Sequence, residues 1–201
     1  LFWEEFMPLR KTVRIVAFIL LFFATLSAQA DFESMVTELV NIERAANNLH
    51  PLAYNEELAV AARMHSQDMG DNNYFSHTSQ DGRTFDERIA DAGYECTNCG
   101  ENIAAGYAIP ETVVNGWMNS PGHRANILSP EYCDIGVGYA AVAGSEYYHY
   151  WTQDFGRRSG VSQCPEPIAA APGTSATPPL TTDGDGGGGC FIGASRINLA
   201  K

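Results

Sequence analysis

Basic residues are scarce in this chain of 201 residues, which has 12 Lys and Arg against 24 Asp and Glu and a formal net charge of −12. An acidic surface repels nucleic acid phosphates and anionic membrane surfaces, so the composition argues against both as partners. The sequence also lacks a G-x-S-x-G or phosphate-loop pattern, and no serine has a visible base partner. The common signatures of serine hydrolases and nucleotide-binding enzymes are therefore missing.

Long apolar runs are missing after residue 30, so the sequence predicts no transmembrane span in the mature chain. Before that point, three basic residues precede an apolar core of 12 residues, Ile15 to Leu26, and the small residues Ala28 and Ala30 follow. This order is typical of a Sec-type signal peptide over residues 1–30. We expect cleavage near Ala30 and a secreted protein, extracellular or periplasmic.

The remaining chain is long enough for one domain with a real core, which we place at residues 31–160, and we expect a monomer. Residues 161–201 differ in composition. Between Pro165 and Gly189, 11 of 25 residues are Pro or Gly, and the only bulky aliphatic residues are Ile168 and Leu180. Such a segment cannot bury a core, so the sequence predicts a disordered tail.

Apolar residues at three- and four-residue steps predict a helix from Phe32 to near Asn48. Capping signals predict three more helices, which begin after Asn55, after Thr84 and at Pro110. Strand patterns follow, at residues 102–105, 135–142 and 147–155, and a turn at residues 144–145 joins the last two. Helices followed by an antiparallel hairpin predict an α+β fold with a helix-covered sheet.

All five cysteines follow the predicted signal peptide, and an oxidising compartment allows disulfides to persist. Four of them, Cys96, Cys99, Cys133 and Cys164, allow three pairings, of which we favour Cys96 with Cys99 and Cys133 with Cys164. Cys190 is then unpaired. A redox CxxC normally begins a helix, whereas a strand follows Cys99, so a structural bridge is the preferred interpretation.

Four stretches carry a recognisable pattern when they are read in order: His65 to Met69 with Tyr74 to His77, Gly100 to Ala104, Trp117 to Leu128, and Ile135 to Tyr139 with Tyr150 to Gly156. Together they resemble the bacterial branch of the CAP superfamily, which groups cysteine-rich secretory, antigen-five and pathogenesis-related-one proteins. The resemblance covers nearly all of residues 31–158. It implies an exported SCP domain folded as a three-layer α/β/α sandwich, with an antiparallel sheet flanked by helices.

The resemblance also implies a central cleft. In the animal and plant relatives, two histidines and two glutamates converge there and can hold a divalent metal. His77, Glu101 and His123 match three of these positions, whereas Ser120 stands where the second glutamate would be. Two imidazoles are too few donors for tight zinc binding, so any zinc, magnesium or calcium should bind weakly. Glu101 could be a third ligand, orient a histidine or hold a metal-bound water.

The sequence favours a non-enzymatic extracellular binding or interaction module, whose ligand would be a lipid, a peptide or a cell-envelope component. One alternative is a protease-like, metal-assisted hydrolase in which Glu101 is the catalytic base on water held by His77 and His123. Another is a lipid- or sterol-binding protein. The three side chains could also simply hydrogen-bond one another as a structural network. His65 lies on the apolar stripe of the second helix and is interpreted as a core histidine.

Overall fold

The computed structural model describes residues 29–164 and the backbone of residues 195–198. The core of the predicted signal peptide, Cys190 and most of the predicted tail lie outside these residues. Within the described part of the chain, no helix is both long and apolar enough to cross a membrane.

The described residues form five helices: α1 at residues 29–46, α2 at Glu56–Asp71, α3 at Phe85–Asp91, α4 at Pro110–Asn119 and α5 at Pro121–Ile127. The predicted start signals operate as expected. Asn55 accepts a hydrogen bond from the Leu58 N–H, Thr84 and Glu87 form a capping box, and Pro110 occupies the first turn of α4. Helix α5 was not predicted, because seven residues are too few to show a helical period.

The sheet contains five strands: β1 at Ala53–Tyr54, β2 at Cys96–Ala105, β3 at Asp134–Ala141, β4 at His149–Arg158 and β5 at Ser195–Asn198. Their order is β1-β3-β4-β2-β5. All pairs are antiparallel except the two-residue contact of β1 with β3. Strand β5 lies in the segment for which the sequence predicted no structure.

Helices cover both faces of the sheet. Val40 of α1, Trp117 of α4 and Ile127 of α5 pack with Val137 and Trp151 in one buried cluster. On the other face, the apolar residues of α2 and α3 pack with the odd-numbered residues of β2 in two clusters. Because neighbouring strand residues point to opposite faces, β2 and β4 contribute to both layers. The three-layer α/β/α sandwich is thus confirmed.

Helix α2 lies unusually close to β3. A Cβ atom added at Gly136 or Gly138 would collide with the backbone of α2 at Leu58, Ala59 or Ala62. The absence of side chains at these two glycines therefore allows the backbone of α2 to pack directly against β3. The alanines on the buried stripe of α2 contribute to the same close approach.

Both predicted disulfides are present. Cys96 and Cys99 are bridged at the start of β2, and Cys133, which precedes β3, is bridged to Cys164. The second bridge joins residues 31 positions apart and fastens the end of the domain to its sheet. In the chain-entropy model, closing a loop of this length stabilises the fold by about 3 to 4 kcal/mol.

Candidate functional site

The structure brings His77 and Glu101 into direct contact. His77 lies in the loop between α2 and α3, and Glu101 lies in the middle of β2. The His77 Nδ1 is 2.7 Å from Glu101 Oε1, and the two side chains are 21% and 0% exposed. The carboxylate accepts the Nδ1 hydrogen, which fixes the orientation of the ring and leaves Nε2 on its opposite edge.

Arg88 of α3 holds the second oxygen of the same carboxylate. Its Nη2 lies 2.5 Å from Glu101 Oε2 and its Nη1 donates to the backbone oxygen of His77 at 3.0 Å. The Arg88 side chain is only 5% exposed. Sequence reasoning missed Arg88, because a basic residue in a short helix gives no sign of a buried partner. Its bonds engage Oε2 of Glu101 and the backbone oxygen of His77, so they position the His77 loop beside the carboxylate.

His123 lies on the other side of β2, in α5. Ser120, which ends α4 and precedes α5, is hydrogen-bonded through Oγ to His123 Nδ1 at 2.9 Å. Burial lowers the pKa of His123 to about 4, and the charge of the nearby His77 contributes to this shift. The backbone oxygen of His123 accepts a hydrogen bond from Asn102, the neighbour of Glu101, at 3.2 Å. The three predicted residues therefore gather around one segment of β2.

Asparagine side chains attach this segment to α5. Asn126 donates to Glu101 O at 3.2 Å and to Asn102 Oδ1 at 2.9 Å, while Asn102 also donates to Gln153 Oε1 at 3.1 Å. All of these groups are buried, and a buried amide without partners would cost about 1 to 3 kcal/mol. The network therefore holds the helix that carries His123 in register with the strand that carries Glu101.

Asp154 is a second buried carboxyl at this place. It faces Glu101 directly across β2 and β4, it is 0% exposed, and neither of its oxygens hydrogen-bonds a donor among residues 29–164. Burial, followed by the negative charge of Glu101, raises the pKa of Asp154 well above its usual value. Alternation along β4 places Asp154 on the same face as Tyr150, and this was the one signal in the sequence that could have revealed it.

The two carboxyls of this pair behave oppositely. Burial works to raise the pKa of Glu101, but the hydrogen bond from His77 and the charge of Arg88 outweigh it, so this pKa lies below its usual value. Glu101 is therefore the ionised member, and Asp154 keeps its proton. His65 lies close behind them, and burial lowers its pKa to about 4. Its Nε2 contacts Ser76 O at 2.9 Å, as fits the predicted core histidine.

The site does not fit a metal centre with three protein ligands. Within residues 29–164, no group of three or more His, Cys, Asp or Glu side chains is arranged to hold a metal ion. His77 and Arg88 hydrogen-bond the two oxygens of Glu101, and the charge of Arg88 disfavours a cation beside them. The position of Glu101 behind the His77 ring is that of a carboxylate that orients a histidine.

A cavity lies beside this site, on the outer side of Arg88. It is an open groove of about 590 Å³ along α2 and α3, lined by side chains that include Met64, Asp68 and Arg88. His77, Glu101 and His123 do not line it. Arg88 therefore lines this groove and is also bonded to Glu101 at the candidate site.

Known proteins share this domain. The sequence profile of the "Cysteine-rich secretory protein family" matches residues 37–155. The Bacillus subtilis protein named "Uncharacterized protein YkwD" is 47% identical over 130 residues, which are 64% of this chain and 48% of YkwD. "Uncharacterized membrane protein YlbC" of the same organism is 35% identical over 130 residues, 65% of this chain and 36% of YlbC. This chain thus spans about half or less of the length of these relatives.

A crystal structure of an extracellular protein containing an SCP domain, from Bacillus anthracis, superposes with a TM-score of 0.59 at 36% identity. The match covers 65% of this chain and 41% of that one. A cysteine-rich secretory protein from Staphylococcus aureus has a TM-score of 0.53 at 20% identity, a likeness of fold alone. The sequence match over residues 37–155 and the shared sandwich lead to one conclusion: this chain belongs to the cysteine-rich secretory protein family.

Proposed function

We propose that this chain is exported and that its domain is an extracellular binding module, with the partly exposed His77 side chain as the contact point for its ligand. The signal-peptide pattern at residues 1–30 supports export. The Bacillus anthracis relative, described as an extracellular protein, supports the same location. The acidic composition favours a ligand other than nucleic acid.

One observation carries this proposal: Glu101 is completely buried, and both of its oxygens are held by His77 and Arg88. A general base must reach the proton that it removes, directly or through one water. The low pKa of Glu101 and its two cationic or hydrogen-bonding partners make it a poor base in this position. Its role is to position His77, whose side chain is 21% exposed and can contact a ligand.

A binding screen tests the proposal. The full chain is incubated with a peptide library and with phosphatidylcholine vesicles containing cholesterol, with and without EDTA, and mass spectrometry detects any cleaved peptide. We expect bound but intact peptides or vesicles, and at least about tenfold weaker binding by His77→Ala. His149→Ala is the matched control, since His149 stacks on Tyr139 outside the site. Peptide cleavage that Glu101→Gln abolishes in a folded protein would instead support the hydrolase.

A second proposal concerns a divalent metal. Glu101 holds His77 through Nδ1, while His77 Nε2 is buried and makes no hydrogen bond to residues 29–164. Metal-binding histidines are commonly oriented by a carboxylate in this way. His123 would be the second imidazole ligand, because His65 Nε2 is bonded to Ser76 O, and we expect zinc to bind with a Kd in the micromolar range or weaker.

Calorimetry with zinc chloride checks the metal proposal. The double variant His77→Ala/His123→Ala should lose the binding heat, and the His149→Ala control should retain it. Equal heats from the double variant and the parent chain would show that zinc binds elsewhere.

A further inference from the structure

The groove along α2 and α3 extends from an exposed rim to a buried floor. Its volume of about 590 Å³ lies within the range of about 300 to 1,000 Å³ that is usual for small-molecule sites. Met64 at the rim is 59% exposed, whereas Ala61 and His65 of the same helix line the groove and are buried. Arg88 and Ser79 add two more buried side chains to the lining. A ligand in this groove would therefore meet buried polar groups as well as the surface.

Two of the buried side chains each have a polar atom without a partner. His65 Nδ1 and Arg88 Nε are buried, and neither makes a hydrogen bond to residues 29–164. His65 Nε2 is bonded to Ser76 O, which can only accept, so Nε2 carries the ring hydrogen and Nδ1 is an acceptor. Burial lowers the pKa of His65 to about 4, so the ring is neutral at pH 7. The floor therefore offers one acceptor, His65 Nδ1, and one donor, Arg88 Nε.

This combination of donor and acceptor favours a hydroxyl group. The charge of Arg88 contributes to the low pKa of His65, as expected for groups that lie close together. A hydroxyl can accept from Arg88 Nε and also donate to His65 Nδ1, whereas an ionised carboxylate only accepts and an ammonium only donates. An unpaired buried donor or acceptor is costly, so a ligand that pairs with both atoms gains affinity at the floor.

The charges around the groove favour a neutral ligand. Three arginines and three aspartates line it, so their formal charges cancel: Arg63, Arg83, Arg88, Asp68, Asp71 and Asp91. Each arginine already pairs with a carboxylate, at Glu33, Asp81 and Glu101 respectively, so an anion would have to compete for them. A saccharide ring presents hydroxyl groups at its edge and C–H groups on its faces. Carboxylates accept from such hydroxyls, and the exposed Met64 offers an apolar surface to a face.

We propose that the groove along α2 and α3 is a binding site for a neutral saccharide, whose hydroxyl groups pair with His65 Nδ1 and Arg88 Nε. This inference goes beyond the proposed function, because the groove does not include His77. Neither floor atom is exposed, so a side chain at the rim must move when the saccharide enters. Arg83 can move at little cost, because it is 42% exposed and both of its ion pairs face solvent.

An NMR titration of the full, ¹⁵N-labelled chain tests the inference, with maltotriose, cellotriose and N,N′,N″-triacetylchitotriose as probes. At least one trisaccharide should bind with a Kd of about 1 mM or tighter and shift the amide signals of α2 and α3. His65→Gln can keep the bond to Ser76 O but loses the acceptor at Nδ1, so it should weaken binding about tenfold or more. His50→Gln is the matched control, because His50 does not line the groove.

A second pair of variants does not disturb the core. Met64→Ala should weaken binding about threefold, since it removes apolar surface from the rim, and Met35→Ala, on exposed surface of α1, should leave the Kd unchanged. No shifts with any of the three trisaccharides, or shifts confined to residues away from α2 and α3, would overturn the inference. Equal Kd values for both members of each pair would also overturn it.

The saccharide site and the His77 contact can fail separately. His77→Ala should leave trisaccharide binding unchanged, because the variant retains the backbone oxygen that Arg88 bonds. If His77→Ala abolishes this binding, the saccharide sits at His77 and the groove is not its site. If no trisaccharide binds while the screen finds ligands that depend on His77, the groove inference is wrong and the binding module stands. If trisaccharides bind at the groove but the screen finds no ligand that depends on His77, the groove stands and His77 is not a contact point.

Discussion

Glu101 and Asp154 are direct cross-strand neighbours on β2 and β4, and both side chains are completely buried. Two adjacent carboxylates in a buried place repel each other, so one of them keeps its proton. The bonds from His77 and Arg88 select Glu101 as the charged member, because Asp154 has no donor of its own among the described residues.

Asp154→Asn should stabilise the domain increasingly as pH rises above about 4. The unfolded chain releases the Asp154 proton near the usual pKa of 3.8, whereas the folded chain retains it because its pKa is raised. Folding thus takes up a proton, and stability falls with pH by at most about 1.4 kcal/mol per unit until the folded pKa is reached. The side-chain amide introduced by Asp154→Asn does not titrate, so this fall of stability with pH disappears. Urea unfolding from pH 4 to 7 measures it, with Asp31→Asn as the exposed control.

Arg88→Met should cost about 3 to 5 kcal/mol of unfolding free energy, because it leaves the Glu101 charge buried without its cation. The double variant Arg88→Met/Glu101→Gln should recover part of this loss. Arg83 provides the control, since its ion pairs with Asp81 and Asp91 are exposed to solvent and Arg83→Met should cost much less than Arg88→Met. Similar losses from both arginine variants in urea unfolding would contradict a buried charge at Glu101.

The elements with local signals were predictable from the sequence. The caps at Asn55 and Thr84 and the periodicity of α1 and α2 each arise from residues within a few positions of one another. Strand β2 begins at Cys96, six residues before the predicted strand at residue 102, because its first half has no apolar alternation and is held by a disulfide and by pairing with β4. Pairing partners distant in sequence leave no local trace.

The candidate site likewise contains residues that the sequence could reveal and residues that it could not. His77, Glu101 and His123 were found only through resemblance to a family, since nothing in their spacing predicts that a loop, a strand and a helix meet. Arg88 and Asp154 decide the charge of the site, yet they were missed because a side chain's burial depends on the packed layers. The catalytic role predicted for Glu101 depends on the partners of its two oxygens, and the partners of a carboxylate are a tertiary property.

His65→Gln should reduce the loss of stability in acid. Burial lowers the folded pKa of His65 to about 4, whereas the unfolded value is 6.5. A depressed pKa gives stability that is fully present above 6.5 and is lost as pH falls toward 4, by about 3 kcal/mol in total. Glutamine does not titrate, and its amide can replace the bond to Ser76 O. Thermal unfolding at pH 4.5 and 7 checks this, with His50→Gln, outside the core, as the control.

Gly138→Ala should destabilise the domain by about 3 kcal/mol or more, because the added methyl group would collide with the backbone of α2 at Ala62 and Arg63. Backbone cannot move aside as a flexible side chain can, so the helix must lift from β3. Gly144→Ala is the contrasting variant: its Cβ meets no atom within 4 Å, but its φ of +88° disfavours alanine, at a cost of about 1 kcal/mol. Urea unfolding measures both losses. Equal losses of unfolding free energy at the two glycines would mean that α2 can shift away from β3. The close contact between helix and sheet would then not determine the position of His65, which α2 carries behind Glu101.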